Sequence, residues 1–156
     1  MSVDTDGKIN AKYGVKDIQR ALKNKFNIES KVMDTYSKDF YQLSFQYKNE
    51  TRLLSVFENY IDDDTQELVT SMNIGMWGSS VKLMMGILES FGGYIKENDC
   101  EDEWKYVSPL DKTHMTNEEV LEDKLYEKLK DSEISFVIKQ QIIIYVKSNL
   151  DFIKTL

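Results

Sequence analysis

Apolar side chains recur along this chain with two different periods, and the changes of period mark out its elements. The most apolar and most sharply punctuated stretch runs from Met72 to Asp102. Within it Val81, Met84, Met85, Leu88 and Phe91 recur at helical spacing, so one stripe of a helix is apolar. Ser79 is placed to cap its start, and Gly92 or Gly93 to end it. Upstream, Val15, Ile18, Leu22 and Phe26 form a second helical stripe, with Lys12, Lys16, Arg20 and Lys23 down another face. The bland reading of that basic face is solvation; the sharper one is a phosphate or acidic-partner contact.

Between these helices the period falls to two. Tyr41, Leu43, Phe45 and Tyr47 alternate with Gln42, Ser44 and Gln46, as in a strand with one buried face. Lys48-Asn49-Glu50 turns the chain into a return strand over Thr51–Ile61, with Leu54, Val56 and Tyr60 on one side. Asp62-Asp63-Asp64 ends it, and Leu68, Thr70, Met72 and Ile74 line one face of the next strand. Residues 28–35 read as a short strand, and Gly93-Tyr94-Ile95 opens another whose hairpin partner is Trp104–Val107. Residues 1–10 read as a loose polar arm. Phe45, Val56, Ile74, Met84, Leu88, Phe91 and Ile95 are expected to be buried together, because each lies on the apolar side of its element.

Ser108-Pro109 marks a change of regime, since this is the one proline. Thr116 with Glu119 three residues on is a capping-box signature, and Leu121, Leu125 and Leu129 follow at i+4 spacing. Ser132 restarts a helix whose apolar face runs through Ile134, Val137, Ile138, Ile142, Tyr145, Val146, Phe152 and Ile153. Its β-branched residues prefer strands, but the pattern is too long for one. The fold expected is α+β: an antiparallel sheet of four to six strands, packed by an N-terminal and a central helix, with two C-terminal helices. It is organised as a core over 1–108 and a helical pair over 109–156, in one domain overall.

At 156 residues, 41% hydrophobic and 30% charged, the composition is that of a globular protein with a sizeable core. The start MSVDTDGK has neither a basic stretch nor an apolar segment, so no signal peptide is expected. The longest strictly apolar run, Ile142–Val146, is far too short to span a membrane. A single cysteine excludes an internal disulfide and fits a reducing, cytoplasmic compartment. Lysine outnumbers arginine 18 to 2, a bias that points to a low-GC bacterium or its phage. The net charge of −7 is concentrated: residues 58–103 carry eleven acidic and two basic side chains, while residues 1–57 carry ten basic and seven acidic.

Few residues offer chemistry. Gly75, Gly78, Ser79 and Ser80 lie between a strand and a helix N-terminus, the outline of an anion cradle. The loop lacks the Gly-Lys-Ser/Thr of a phosphate loop, and a capped strand-to-helix connection explains it equally. His114, the only histidine, has Asp111 as its nearest carboxylate, both in a polar connector, so no catalytic residue is assigned. Cys100 sits in Glu97–Glu103, where five of seven residues are acidic, which disfavours a thiolate. One Cys and one His do not make a zinc site, and the carboxylate spacing is not that of a calcium loop, so neither metal nor cofactor is expected. Sequence-specific DNA binding is disfavoured by the acidic balance.

The function expected is a small acidic, non-enzymatic binding protein that inhibits or neutralises a protein partner with a basic surface, of the toxin-immunity or phage anti-defence type. Its binding face would hold Asp62, Asp63, Asp64, Glu97, Asp99, Glu101, Asp102 and Glu103, with Tyr60, Tyr94 and Trp104 as aromatic anchors. The alternatives are a small enzyme or nucleotide-binding protein using the Gly75–Ser80 loop, and an assembly subunit that forms a homo-oligomer through its C-terminal helices.

Overall fold

The structure, a computed structural model, describes residues 4–33, 37–75, 80–97, 104–111, 113, 115–129 and 135–148. In chain order the elements are β1 (Thr5–Asn10), α1 (Val15–Phe26), β2 (Ser30–Met33), β3 (Phe40–Tyr47), β4 (Glu50–Ile61), β5 (Leu68–Ile74), α2 (Ser80–Phe91), β6 (Gly93–Glu97), β7 (Lys105–Val107), α3 (Asn117–Leu129) and α4 (Phe136–Ser148). The class is α+β. Among the described residues, seven strands form one sheet in the order β2-β3-β4-β5-β1-β6-β7, and every neighbouring pair is antiparallel. That is one strand more than the upper expectation of six.

The main correction concerns the N-terminus. Residues 5–10 are not a loose arm but β1, lodged between β5 and β6. Its period of two is written in an unusual alphabet. Thr5, Gly7 and Ile9 face the helices, while Asp6 and Lys8 face the other way. Thr5 Oγ1 lies 3.2 Å from Ser80 Oγ at the start of α2. Gly7 opposes Met72 on one side and Ile95 on the other, and a Cβ there would collide with the Met84 sulfur. Only a glycine lets β1 pass this close beneath α2. A strand that presents one threonine, one glycine and one isoleucine to the core carries almost no apolar signal.

Elsewhere most periodicities translate directly, but Tyr60, expected on the side of Leu54 and Val56, crosses to the opposite face of the sheet at a bulge in β4. Tyr47 and Glu50 pair across the β3–β4 hairpin, with Lys48 at φ 49° and Asn49 at φ 66° between them. Two left-handed residues in a two-residue loop match the twist of the flanking strands, and here the turn forms without glycine. A register shift between Phe57 and Tyr60, with Asn59 at φ 55°, bends β4. Glu58, within this bulge, accepts a hydrogen bond from Val15 N at 2.8 Å, and Asp17 accepts one from Gly14 N at 2.9 Å. Both carboxylates answer free N–H groups at the start of α1.

The core lies between one face of the sheet and helices α1 and α2. Phe45, Val56, Ile74, Met84, Leu88 and Ile95 are buried there in one cluster, as expected. Phe91 is instead half-buried at the margin, its ring 4.6 Å from that of Tyr13.

Helix α3 is held on by polar groups more than by a leucine stripe. The capping box forms as expected: Thr116 N donates to Glu119 Oε1 at 3.3 Å, and Glu119 N to Thr116 Oγ1 at 3.2 Å. Glu119 also takes Lys12 Nζ at 2.6 Å. Burial works against the Glu119 charge, but Lys12 and Thr116 outweigh it and hold the carboxyl below its usual range. Asp123 and Tyr126 are the buried residues of α3, whereas Leu121, Leu125 and Leu129 are half-buried. Asp123 Oδ1 accepts from Tyr106 Oη at 2.6 Å and Ser108 Oγ at 2.7 Å, and Tyr126 stacks on Tyr106 at 4.5 Å. In α4, Gln140 and Ile143 are buried, while Val137, Ile138 and Tyr145 of the predicted apolar face stand in solvent. Ser132, Ile134, Phe152 and Ile153 lie outside the described residues. Among the described residues, no helix is long and apolar enough to cross a membrane.

This clamp has a pH signature. Burial pushes the hydroxyls of Tyr94, Tyr106 and Tyr126 up, and the charge of Glu122 pushes the same way on all three. A raised folded value means the stabilisation is complete below the ordinary tyrosine pKa of about 10 and is lost as the pH climbs beyond it. Melting temperature should therefore fall on the alkaline side of about pH 10. Tyr126→Phe, which keeps the stacked ring and removes one hydroxyl, should flatten that fall in a series of thermal melts.

Candidate functional site

Among the described residues, the face of the sheet turned away from α1 and α2 is covered by α3 only at its β6–β7 end. Over β4, β5 and β1 it is open and forms a concavity of about 680 Å³. The alternation of each strand decides what lines it. β4 contributes Ser55 and Phe57, then Tyr60 beyond the bulge; β5 contributes Val69, Ser71 and Asn73; β1 contributes Asp6 and Lys8. Asp4, Asp62, Asp63, Asp64, Lys96 and Trp104 complete the rim. Phe57 and Tyr60 are 38% and 41% exposed, and Phe57 packs against Phe40 at 4.6 Å. Large aromatic side chains that keep more than a third of their surface exposed on a sheet face offer apolar area to a partner.

At the floor is a buried ion pair. Lys8 Nζ lies 2.9 Å from Asp62 Oδ1, and the two side chains are only 4% and 8% exposed. Asp64 is at 4.0 Å, and the ammonium lies 4.4 Å from the centre of the Trp104 ring and 5.4 Å from that of Tyr94. The other oxygen of Asp62 accepts from Thr65 N at 3.1 Å and Thr65 Oγ1 at 2.8 Å, which closes the β4–β5 turn. Asp6 accepts from Asn73 Nδ2 at 2.7 Å.

This geometry divides the residues singled out from the sequence. Asp62 was expected on an exposed binding face; it is buried, because it serves Lys8 and the turn at once. Asp63 and Asp64 are exposed on the rim, with Tyr60 and Trp104 beside them in the same concavity. Tyr94 points elsewhere: its hydroxyl donates to Glu122 at 2.9 Å, and its ring meets Tyr126 at 5.3 Å, under α3. Glu97 is exposed at the end of β6. In the loop with the outline of an anion cradle, Gly75 is exposed, and the Ser80 hydroxyl turns inward to Thr5. Gly78, Ser79, Asp99, Cys100, Glu101, Asp102, Glu103 and His114 lie outside the described residues.

Five carboxylates face two ammonium groups around the concavity, and two of the five, Asp62 and Asp64, pair with Lys8. Carboxylates, amides, hydroxyls and aromatic faces are groups that hold cations, and Lys8 over Trp104 is an internal instance of that chemistry. Among the described residues, no three His, Cys, Asp or Glu side chains are grouped to hold a metal. Comparison with known proteins adds nothing to this picture. No protein family, curated protein or solved structure matches the chain.

The sequence reading missed Asp4, Asp6, Lys8, Phe57 and Lys96 as members of this surface. The available signal was the alternation Asp4, Asp6, Lys8 against Thr5, Gly7, Ile9. It was masked because the second set is small or polar.

Proposed function

We propose that this chain is a non-enzymatic binding protein that inhibits or neutralises a protein partner with a basic surface, in the manner of toxin-immunity proteins and phage inhibitors of host defence. One observation carries the reading: the open sheet face joins exposed carboxylates to exposed aromatic rings in a single concavity. Asp63 and Asp64 steer a basic partner, and Phe57, Tyr60 and Trp104 supply the apolar contact that charge alone lacks. Glu97, exposed at the end of β6, adds to the same charge, and Asp99, Glu101, Asp102 and Glu103 follow it in the sequence. Asp62 and Tyr94 act in this scheme as supports of the surface. A reducing, cytoplasmic setting belongs to the same reading and rests on the single cysteine.

The test is capture of proteins from the native host on immobilised wild type and on Asp63→Lys/Asp64→Lys, both checked for folding by circular dichroism. A basic protein retained by the wild type and released by the variant supports the reading. Equal recovery by the two contradicts it. A second reading, self-association through α4, has its own support in the exposed Val137, Ile138 and Tyr145. Mass that rises with concentration separates it from the first.

A further inference from the structure

We propose that the β2 edge of the sheet is a second interaction surface, which takes an extended acidic segment of a protein partner as an eighth strand. Among the described residues β2 pairs with β3 alone, so its outer side has no neighbouring strand. Lys31, Val32 and Met33 are exposed along it. Ser30 O already accepts from Gln19 Nε2 at 3.1 Å, which leaves residues 31–33 as the part of the edge for strand addition.

A second, independent feature lies beside the edge and sets the chemistry of the occupant. The basic stripe of α1 runs next to β2, and Lys16, Arg20 and Lys23 line a shallow groove of about 310 Å³ with Gln19, Ile28 and Ser30. The register places Ser30 and Val32 on the same side of the sheet as the core residues Phe45 and Leu43. Side chains from an added strand that project on that side meet the groove. Arg20 is largely exposed, with Asp17 as its ion partner at 3.5 Å, and Lys16 is exposed. Lys23 holds Glu29, whose side chain is 82% exposed and easily exchanged for a partner's carboxylate. Charge complementarity therefore favours glutamate or aspartate at alternate positions. Lys31 on the edge works against pairing with a second copy, because like charges would meet across the new ladder. A nucleic acid could satisfy the basic stripe but cannot use the edge. This surface faces away from the acidic concavity and stands whether or not that one binds a partner.

The experiment uses the full chain and three probes: a peptide of alternating glutamate and valine, its lysine–valine counterpart, and a single-stranded oligonucleotide. Hydrogen exchange at residues 31–33 and fluorescence anisotropy are measured together. The expected result is slowed exchange at 31–33 with the glutamate peptide alone, and affinity roughly tenfold weaker in folded Arg20→Glu/Lys23→Glu. Lys16→Glu, on the same groove, gives a loss in the same direction should the double variant fold poorly. Absence of protection at 31–33, equal binding of the lysine peptide, or displacement of the glutamate peptide by the oligonucleotide would each overturn the proposal.

Discussion

Replacing Lys8 with methionine is expected to destabilise the protein by about 3–5 kcal/mol, the range found when one partner of a buried ion pair is removed. The cost comes less from the lost attraction than from what remains. Asp62 is left as a carboxylate with an 8% exposed side chain and no ammonium at 2.9 Å. Asp62 cannot swing away to find water, because its other oxygen holds Thr65 in the β4–β5 turn. The double variant Lys8→Met/Asp62→Asn should therefore lose less than the sum of its two singles. An asparagine oxygen can keep the turn while carrying no buried charge. Urea unfolding of the four proteins in the cycle measures this. A Lys8→Met protein as stable as wild type would mean that β1 does not sit where it is described.

Leu88→Ala is the other large effect, with an expected loss of about 2–5 kcal/mol. Leu88 is fully buried on α2. One of its methyl groups lies in the space a Cβ at Gly93 would approach to 3.0 Å, so the side chain fills the join between α2 and β6. Backbone on both sides limits how far the cavity can collapse, which favours the upper part of the range. Chemical denaturation should show a lower midpoint at unchanged slope. A variant indistinguishable from wild type would contradict the packing of α2.

What could be read from the sequence was whatever its periodicity expressed in large apolar residues. The α1 and α2 stripes and the β3–β4 hairpin have Leu, Ile, Val, Met or aromatic residues at most inward positions, and the β5 face has Met72 and Ile74 beside a buried Thr70. Helix α3 was legible for a different reason: the Thr116–Glu119 capping box is a local hydrogen-bonding signature that needs no tertiary context. β1 was illegible because tertiary packing demands a glycine at its centre and an ion pair beneath it. Neither requirement leaves an apolar pattern.

The same cause misplaced Asp62. A run of three aspartates ending a strand looks like a solvated turn, and nothing local shows that a lysine 54 positions upstream will cover the first of them. Tyr94 reads as an interface anchor in the sequence because nothing local shows that α3 folds back over β6. Tyr60, Asp63, Asp64 and Trp104 line one concavity. The concavity that unites them required the sheet order.

That concavity is the centre of the functional account, and its most direct test is kinetic. The association rate of the captured partner should be measured at low and high salt for wild type and for Asp63→Lys/Asp64→Lys, with Asp62 left intact to preserve the fold. Exposed charges act over roughly 8–10 Å at moderate ionic strength, so steering by the rim is removable by screening. The account predicts a wild-type rate that falls as salt rises, and a variant that is slower at low salt with a much weaker salt dependence. Identical rates and identical salt dependence in the two proteins would contradict it.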